Sequence, residues 1–130
     1  MIVVDSSVWI DTYRRPSGRN ATVLRTLLEA DVVALPWPVR FELSAGVSRR
    51  DRPGLLRGLS ALPLLYPSDE TWKVLDTWVP AASSRGHRFT LPDWLIAAMA
   101  HEIGGLVWSL DEDFAEMERL KFVRCYDVGA

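Results

Sequence analysis

One cysteine, two histidines and no long apolar run narrow what this 130-residue chain can be. Cys125 stands alone, which excludes an intramolecular disulfide and a cysteine metal site. Its apolar neighbours Phe122 and Val123 suggest a buried thiol without a chemical role. The His and Cys ligands that zinc prefers are therefore lacking. No segment approaches the roughly 20 apolar residues needed to span a bilayer. The opening MIVVD has no basic stretch and meets an acid after four residues, unlike a secretory signal. A cytoplasmic location is expected.

What is present matches an ordinary soluble domain: 48% hydrophobic and 25% charged residues, with a formal charge of −2. The length suits one domain over residues 1–130 that buries roughly two thirds of its unfolded surface. The slightly acidic balance argues against a broad nucleic-acid-binding face. The basic residues, however, are almost all Arg, in three Gly- or Pro-containing stretches: Arg14, Arg15 and Arg19; Arg49, Arg50 and Arg52; Arg85 and Arg88. Arg suits bidentate phosphate contacts, so local phosphate binding remains open.

Short apolar runs alternate with helical periodicity along the chain. Strands are expected at 2–4, 32–35, 64–66, 106–110 and 122–126. The first helix follows Ser6 or Ser7 as cap, to about Tyr13, and Asn20 caps a second through Val23, Leu24, Leu27 and Leu28. Further helices are expected at 39–47, at 54–62, and from Ser68 through Trp72, Leu75 and Val79, where Pro80 kinks or ends the helix. Thr90 and Pro92 open the next, to Ile103, which Gly104 and Gly105 stop, and a short one covers 113–120. Strands separated by helices indicate a single α/β/α sandwich around a mainly parallel five-stranded sheet.

Four carboxylates mark that topology. Asp5 and Asp111 follow strands, with Asp113 beside the latter, while Glu42 and Asp93 fall near the first turns of helices. In a parallel sheet all of these positions lie at the carboxyl edge, where ligands bind. Ile96, Ala97 and Ala100 recur at helical spacing from Asp93, so that acid points inward. Taken singly, Glu42 and Asp93 read first as capping residues, and Asp113 as a cap for the helix at Phe114. An Asp directly after a buried strand needs a partner. Together the acids repel unless a cation offsets them, and the all-oxygen donor set suits Mg²⁺. Such a site can activate water for attack on a phosphodiester, with one metal or two.

The stretch TLPDWLIAAMA at 90–100, followed by GLVWSLDEDF at 105–114, resembles the second half of a PIN-domain ribonuclease. VVDSSVWID at 3–11 and VRFEL at 39–43 are similar to its other two motifs, so the resemblance covers essentially the whole chain. The compact size is similar to VapC-like toxins of bacterial toxin–antitoxin pairs. The resemblance implies metal-binding and catalytic roles for Asp5, Glu42, Asp93 and Asp111, with Asp113 as an auxiliary acid. Ser6 and Ser109 stand at the polar positions, where Thr is often seen. It further implies Mg²⁺- or Mn²⁺-dependent endoribonuclease cleavage by a metal-activated water, a homodimer, and a cognate antitoxin whose tail occupies a groove leading to the acids. It leaves the RNA unnamed.

Two other readings stand beside it. A phosphatase of the haloacid dehalogenase type also starts from an Asp after the first strand, but needs a second Asp where Ser7 stands. A non-catalytic module would keep the acids for partner or RNA recognition. Of six tryptophans, Trp94 and Trp108 are expected in the core, and Trp9 and Trp37 near the acidic edge, for interface packing first and RNA stacking second. Arg15, Arg85 and Arg88 are candidates for phosphate contact, His87 a solvated loop residue, and His101 a helix-end cation.

Overall fold

The apolar runs assemble into one parallel sheet in the computed structural model, which describes residues 1–129. Its strands are β1 (Ile2–Val4), β2 (Val33–Pro36), β3 (Leu64–Leu65) and β4 (Leu106–Trp108), in the order β3-β2-β1-β4. Ile2 pairs with both Val33 and Leu106, and Pro36 with Leu65. Seven helices connect them: α1 (Ser6–Arg14), α2 (Arg19–Glu29), α3 (Trp37–Gly46), α4 (Arg52–Leu59), α5 (Asp69–Ser84), α6 (Leu91–Glu102) and α7 (Glu112–Arg119).

The pleat sorts side chains onto two faces, each covered by helices. Val4, Val33 and Trp108 point to one side and pack with Val8 of α1 and Leu24 of α2. Val3, Ala34 and Val107 point to the other and pack with α3, α5, α6 and α7 through Val39, Leu75, Ile96 and Phe114. The central helix α6 is buried from Ile96 to Ala100 without interruption, and its three alanines there allow close approach to its neighbours. Where α6 ends, Gly104 takes a left-handed φ of +63°. A Cβ on Gly105 would lie 2.9 Å from the Met1 carbonyl oxygen, so β4 can enter beside β1 only with glycine there.

The expected fifth strand at 122–126 is not formed. That segment meets the sheet in a single bridge, Val107 to Cys125. The cause is the shortness of β4: the Leu106 N–H and Trp108 C=O bond to the β1 side, to Met1 and Asp5, leaving Val107 alone facing outward. Val107 donates to Arg124 and accepts from Tyr126, which exhausts the edge.

Several boundaries also move. Asp5, not Ser6 or Ser7, takes the N-cap position of α1, and Gly18 that of α2, so Asn20 lies inside its helix and donates to Asp11 (3.0 Å). α3 begins at Trp37, before Pro38, a position where proline loses no hydrogen bond. Glu42 therefore sits in the second turn, not the first. α5 continues past Pro80 to Ser84, with Ala82 of that last turn wholly buried in the core.

Candidate functional site

The strand order reverses between β1 and β4, because the chain runs outward from β1 through β2 to β3 and then returns to β1's other side. That switch point opens a crevice at the carboxyl edge. Asp5 ends β1 there, its N–H bonded to the Trp108 carbonyl (2.8 Å). Although Asp5 is the N-cap residue of α1, its carboxyl caps nothing. It turns across the switch point, and one oxygen accepts from the Ser7 hydroxyl (2.7 Å) and the Ser109 hydroxyl (2.8 Å). Each serine oxygen in turn accepts a backbone N–H, Ser7 from Leu110 (3.0 Å) and Ser109 from Asp111 (2.9 Å). Ser7 thus joins Ser109 in holding Asp5 and the loop after β4 in register, a role the sequence reading did not assign it. Its position two residues after Asp5, in the first turn of a helix, was the available signal.

Asp93, Asp111 and Asp113 gather on the other side of this network, each offering a carboxylate oxygen within 4.8 Å of the others. Asp93 arrives on the first turn of α6, where Thr90 caps the helix by accepting the Asp93 N–H (3.4 Å). Asp111 is the N-cap of α7 and accepts the Asp113 N–H (2.9 Å), so Asp111, not Asp113, does the capping. Glu42 is exposed and reaches the edge from α3, accepting a hydrogen bond from buried Ser6 (3.2 Å).

Electrostatics separates these acids. Burial, with the charges of Asp5, Asp111 and Asp113, raises the Asp93 pKa from 3.8 to about 6, against the pull of the Thr90 hydroxyl. Asp113 is raised by burial and by Asp111 and Glu116. Glu42 is raised by burial, partly offset by the Ser6 hydrogen bond, with Asp5 adding to the rise. None of the ion pairs among the described residues, Arg15–Asp11, Lys73–Glu70 and Arg119–Glu116, reaches the cluster. The chain surrounds several acids with hydroxyls and N–H donors but gives them no cation.

The remaining expected residues divide. Trp94 and Trp108 are core, as expected. Trp9 packs against both apolar clusters, while Trp37 stays half-exposed at the edge with the Arg40 guanidinium over its ring. Arg15 is paired with Asp11, whereas Arg85 and Arg88 are exposed. His87 stacks on Phe89, and His101 packs edge-on against Trp78, at the end of α6 away from the acids. Cys125 is half-buried, its thiol donates to the Phe114 carbonyl (3.5 Å), and burial, with Glu118 beside it, pushes its pKa to about 11.

Comparison with known proteins follows this geometry. The PIN domain model matches residues 2–120. VapC ribonuclease Mb1587 of Mycobacterium bovis is 30% identical over 125 residues, 92% of this chain and 93% of that protein, and Ribonuclease VapC11 of Mycobacterium tuberculosis matches to the same extent. Among solved structures, VapBC2 from Rickettsia felis, bound to a DNA fragment from its promoter, superposes with a TM-score of 0.81 at 18% identity, covering 97% of this chain and 98% of that one. FitAcB from Neisseria gonorrhoeae superposes with a TM-score of 0.78 at 21% identity over 98% of each chain. By its matched family model and these full-length relatives, the chain belongs to the PIN-domain family, as one of its VapC-like members.

Proposed function

We propose that this protein is a metal-dependent endoribonuclease and the toxin of a toxin–antitoxin pair. The observation that carries the proposal is the triad Asp93, Asp111 and Asp113, three carboxylates within 4.8 Å and without a protein cation. Its donors are all oxygen, which fits Mg²⁺ or Mn²⁺ and not zinc. The raised Asp93 pKa supports this fit, because burial and then the neighbouring acids disfavour the ionised carboxylate, which a divalent cation would stabilise.

Asp93, Asp111 and Asp113 would hold the cation, with Asp5 and Glu42 completing the acidic edge. A bound divalent cation supplies charge for a phosphodiester's developing negative oxygens and a more acidic water for in-line attack. The chain's own part is placement. Ser7 and Ser109 fix the Asp5 carboxyl, Ser109 orients the loop that carries Asp111, and Ser6 steadies Glu42. The names of the mycobacterial relatives support a ribonuclease, and the VapBC structural neighbours support a cognate antitoxin as partner.

An apolar groove lined by Trp37, Pro38, Phe41, Leu91 and Leu95 runs beside Glu42 and Asp93, and Phe41 and Leu91 are 64% and 58% exposed. Exposed apolar surface of this kind suits a protein partner, and we assign it to the antitoxin. We also assign a homodimer and action on RNA in the cytoplasm; among the described residues, no helix is long and apolar enough to cross a membrane.

The test is cleavage of structured RNAs by purified protein with and without Mg²⁺. Cleavage should require the metal and be lost in Asp93→Asn. Cleavage that persists unchanged in EDTA or in that variant defeats the proposal. No Mg²⁺ or Mn²⁺ binding by calorimetry, with growth inhibition intact in Asp5→Ala, would favour a non-catalytic module instead.

A further inference from the structure

Beside the edge strand β3, a second set of side chains forms a cleft of about 270 Å³ lined by Trp37 and Arg40 of α3, Ser60 after α4, and Leu62, Leu64 and Tyr66, so that it runs along β3 and reaches the carboxyl edge at Trp37 and Tyr66. The strand register fixes its relation to the acids. Val3 pairs with Ala34, which puts Asp5 opposite Pro36, and Pro36 pairs with Leu65. Asp5 therefore stands level with Pro36 and Leu65, and Trp37 and Tyr66 follow one residue further along the two neighbouring strands. Strands lie about 4.8 Å apart, so the line from Asp5 to the Tyr66 strand is roughly 10 Å. A short single strand of RNA spans that distance.

The lining is unlike that of the neighbouring apolar groove. The Arg40 guanidinium lies 5.1 Å from the Trp37 ring centroid, a flat cation resting on an indole. Arg40 is half-buried, yet it donates no hydrogen bond and joins no ion pair among the described residues, so its fork of N–H donors is open. Tyr66 is 62% exposed, a large aromatic ring that the chain leaves mostly uncovered. The volume is about nine times a water molecule's share of liquid, enough for one planar base.

We infer that the cleft between Trp37, Arg40 and Tyr66 is a nucleobase subsite, which takes an unpaired base flanking the phosphodiester held at the acids. The inference rests on the ribonuclease reading for its orientation and names what that reading leaves open, the single-stranded character of the substrate at this position. Base stacking on aromatic rings and on Arg planes is how unpaired RNA is commonly held, and the open Arg40 donors add edge or phosphate contacts. A duplex cannot present a base this way without opening.

The test uses fluorescence anisotropy in EDTA, where cleavage does not intervene. Two fluorescein-labelled single-stranded RNAs of about 12 nucleotides are compared, one of mixed sequence and one with the same ribose–phosphate chain but no bases. The wild-type protein should prefer the base-bearing strand by about 10- to 100-fold, the range of a stacked base. Trp37→Leu and Tyr66→Leu should lose most of that preference while binding the abasic strand as before, and Arg40→Gln should lose part of it. Should Trp37→Leu fail to fold by circular dichroism, exposed Tyr66→Leu carries the comparison. Variants that keep the wild-type preference, or that weaken both strands by the same factor, overturn the inference and leave Trp37 to a protein partner. Adding Mg²⁺ to the same base-bearing strand separates the two readings. Base preference without cleavage counts against the ribonuclease and not the subsite; cleavage with unchanged preference in the variants counts against the subsite alone.

Discussion

Asp93→Asn should make the metal-free protein more stable at neutral pH, although it removes a residue assigned to the chemistry. The folded Asp93 pKa is raised from 3.8 to about 6, first by burial and then by Asp5, Asp111 and Asp113. A raised carboxyl pKa means that folding favours the protonated form. Its contribution is fully present below the unfolded value of 3.8 and is lost as pH rises through about 6. A rise of roughly 2 at ~1.4 kcal/mol each sets an upper bound near 3 kcal/mol. Because the carboxyl is only half-buried and water screens it, ~1–2 kcal/mol is the better figure. Asparagine keeps the shape and cannot ionise, so the variant should equal wild type near pH 4 and exceed it by ~1–2 kcal/mol at pH 8, or roughly 4–8 °C in Tm. Urea unfolding in EDTA across that range measures the difference. Repeating it in Mg²⁺ should reverse the order, since a ligand that binds only the folded state stabilises wild type and hardly helps the variant. A difference independent of pH, a variant less stable at pH 8 without metal, or equal stabilisation of both by Mg²⁺ would refute the reasoning.

Three further outcomes follow from the same geometry. Asp5→Ala should destabilise the metal-free protein by ~1–3 kcal/mol in urea unfolding at neutral pH, because the Ser7 and Ser109 hydroxyls lose their shared acceptor. Binding of Mg²⁺ should release protons near pH 6 and scarcely any at pH 8, as Asp93 gives up its proton to the cation; calorimetry in buffers of different ionisation enthalpy reads this directly. Gly105→Ala should lower stability by ~1–3 kcal/mol, since its Cβ would stand 2.9 Å from the Met1 carbonyl oxygen, a backbone atom held in the sheet. A thermal melt unchanged by this substitution would contradict the close approach of β1 and β4.

Much of this arrangement was legible because it depends on chain direction and period. An acid directly after a buried strand must emerge at the carboxyl edge, and Asp5 does so. Thr90 and Pro92 announce the start of α6, and the spacing of Ile96, Ala97 and Ala100 announces its buried face. What was not legible depends on partners far away in sequence. Residues 122–126 have strand composition, but whether they pair is decided by how many outward groups β4 has left. Glu42 moved from the first turn to the second because Trp37, a poor signal by itself, starts α3 ahead of Pro38. Ser7 gained its role from Ser109 and Leu110, more than 100 residues away.

The site has two halves that differ in how their polar groups are satisfied. Around Asp5 the polar groups satisfy one another, hydroxyl to carboxylate and N–H to hydroxyl, so that half is built and rigid without a cation. Around Asp93, Asp111 and Asp113 no donor or cation of the chain offsets the crowding fully, so that half is strained electrostatically until a cation or a proton arrives. The division follows from the switch point: the two strands β1 and β4 must be tied together there, which Asp5 and the serines do, while the helix ends that bring Asp93 and Asp113 are free to face one another across the crevice. A site made in this way is positioned by folding, and its crowded charge is what a cation would offset. Removing Asp5 from the first half should therefore damage the fold, whereas neutralising Asp93 in the second should relieve it.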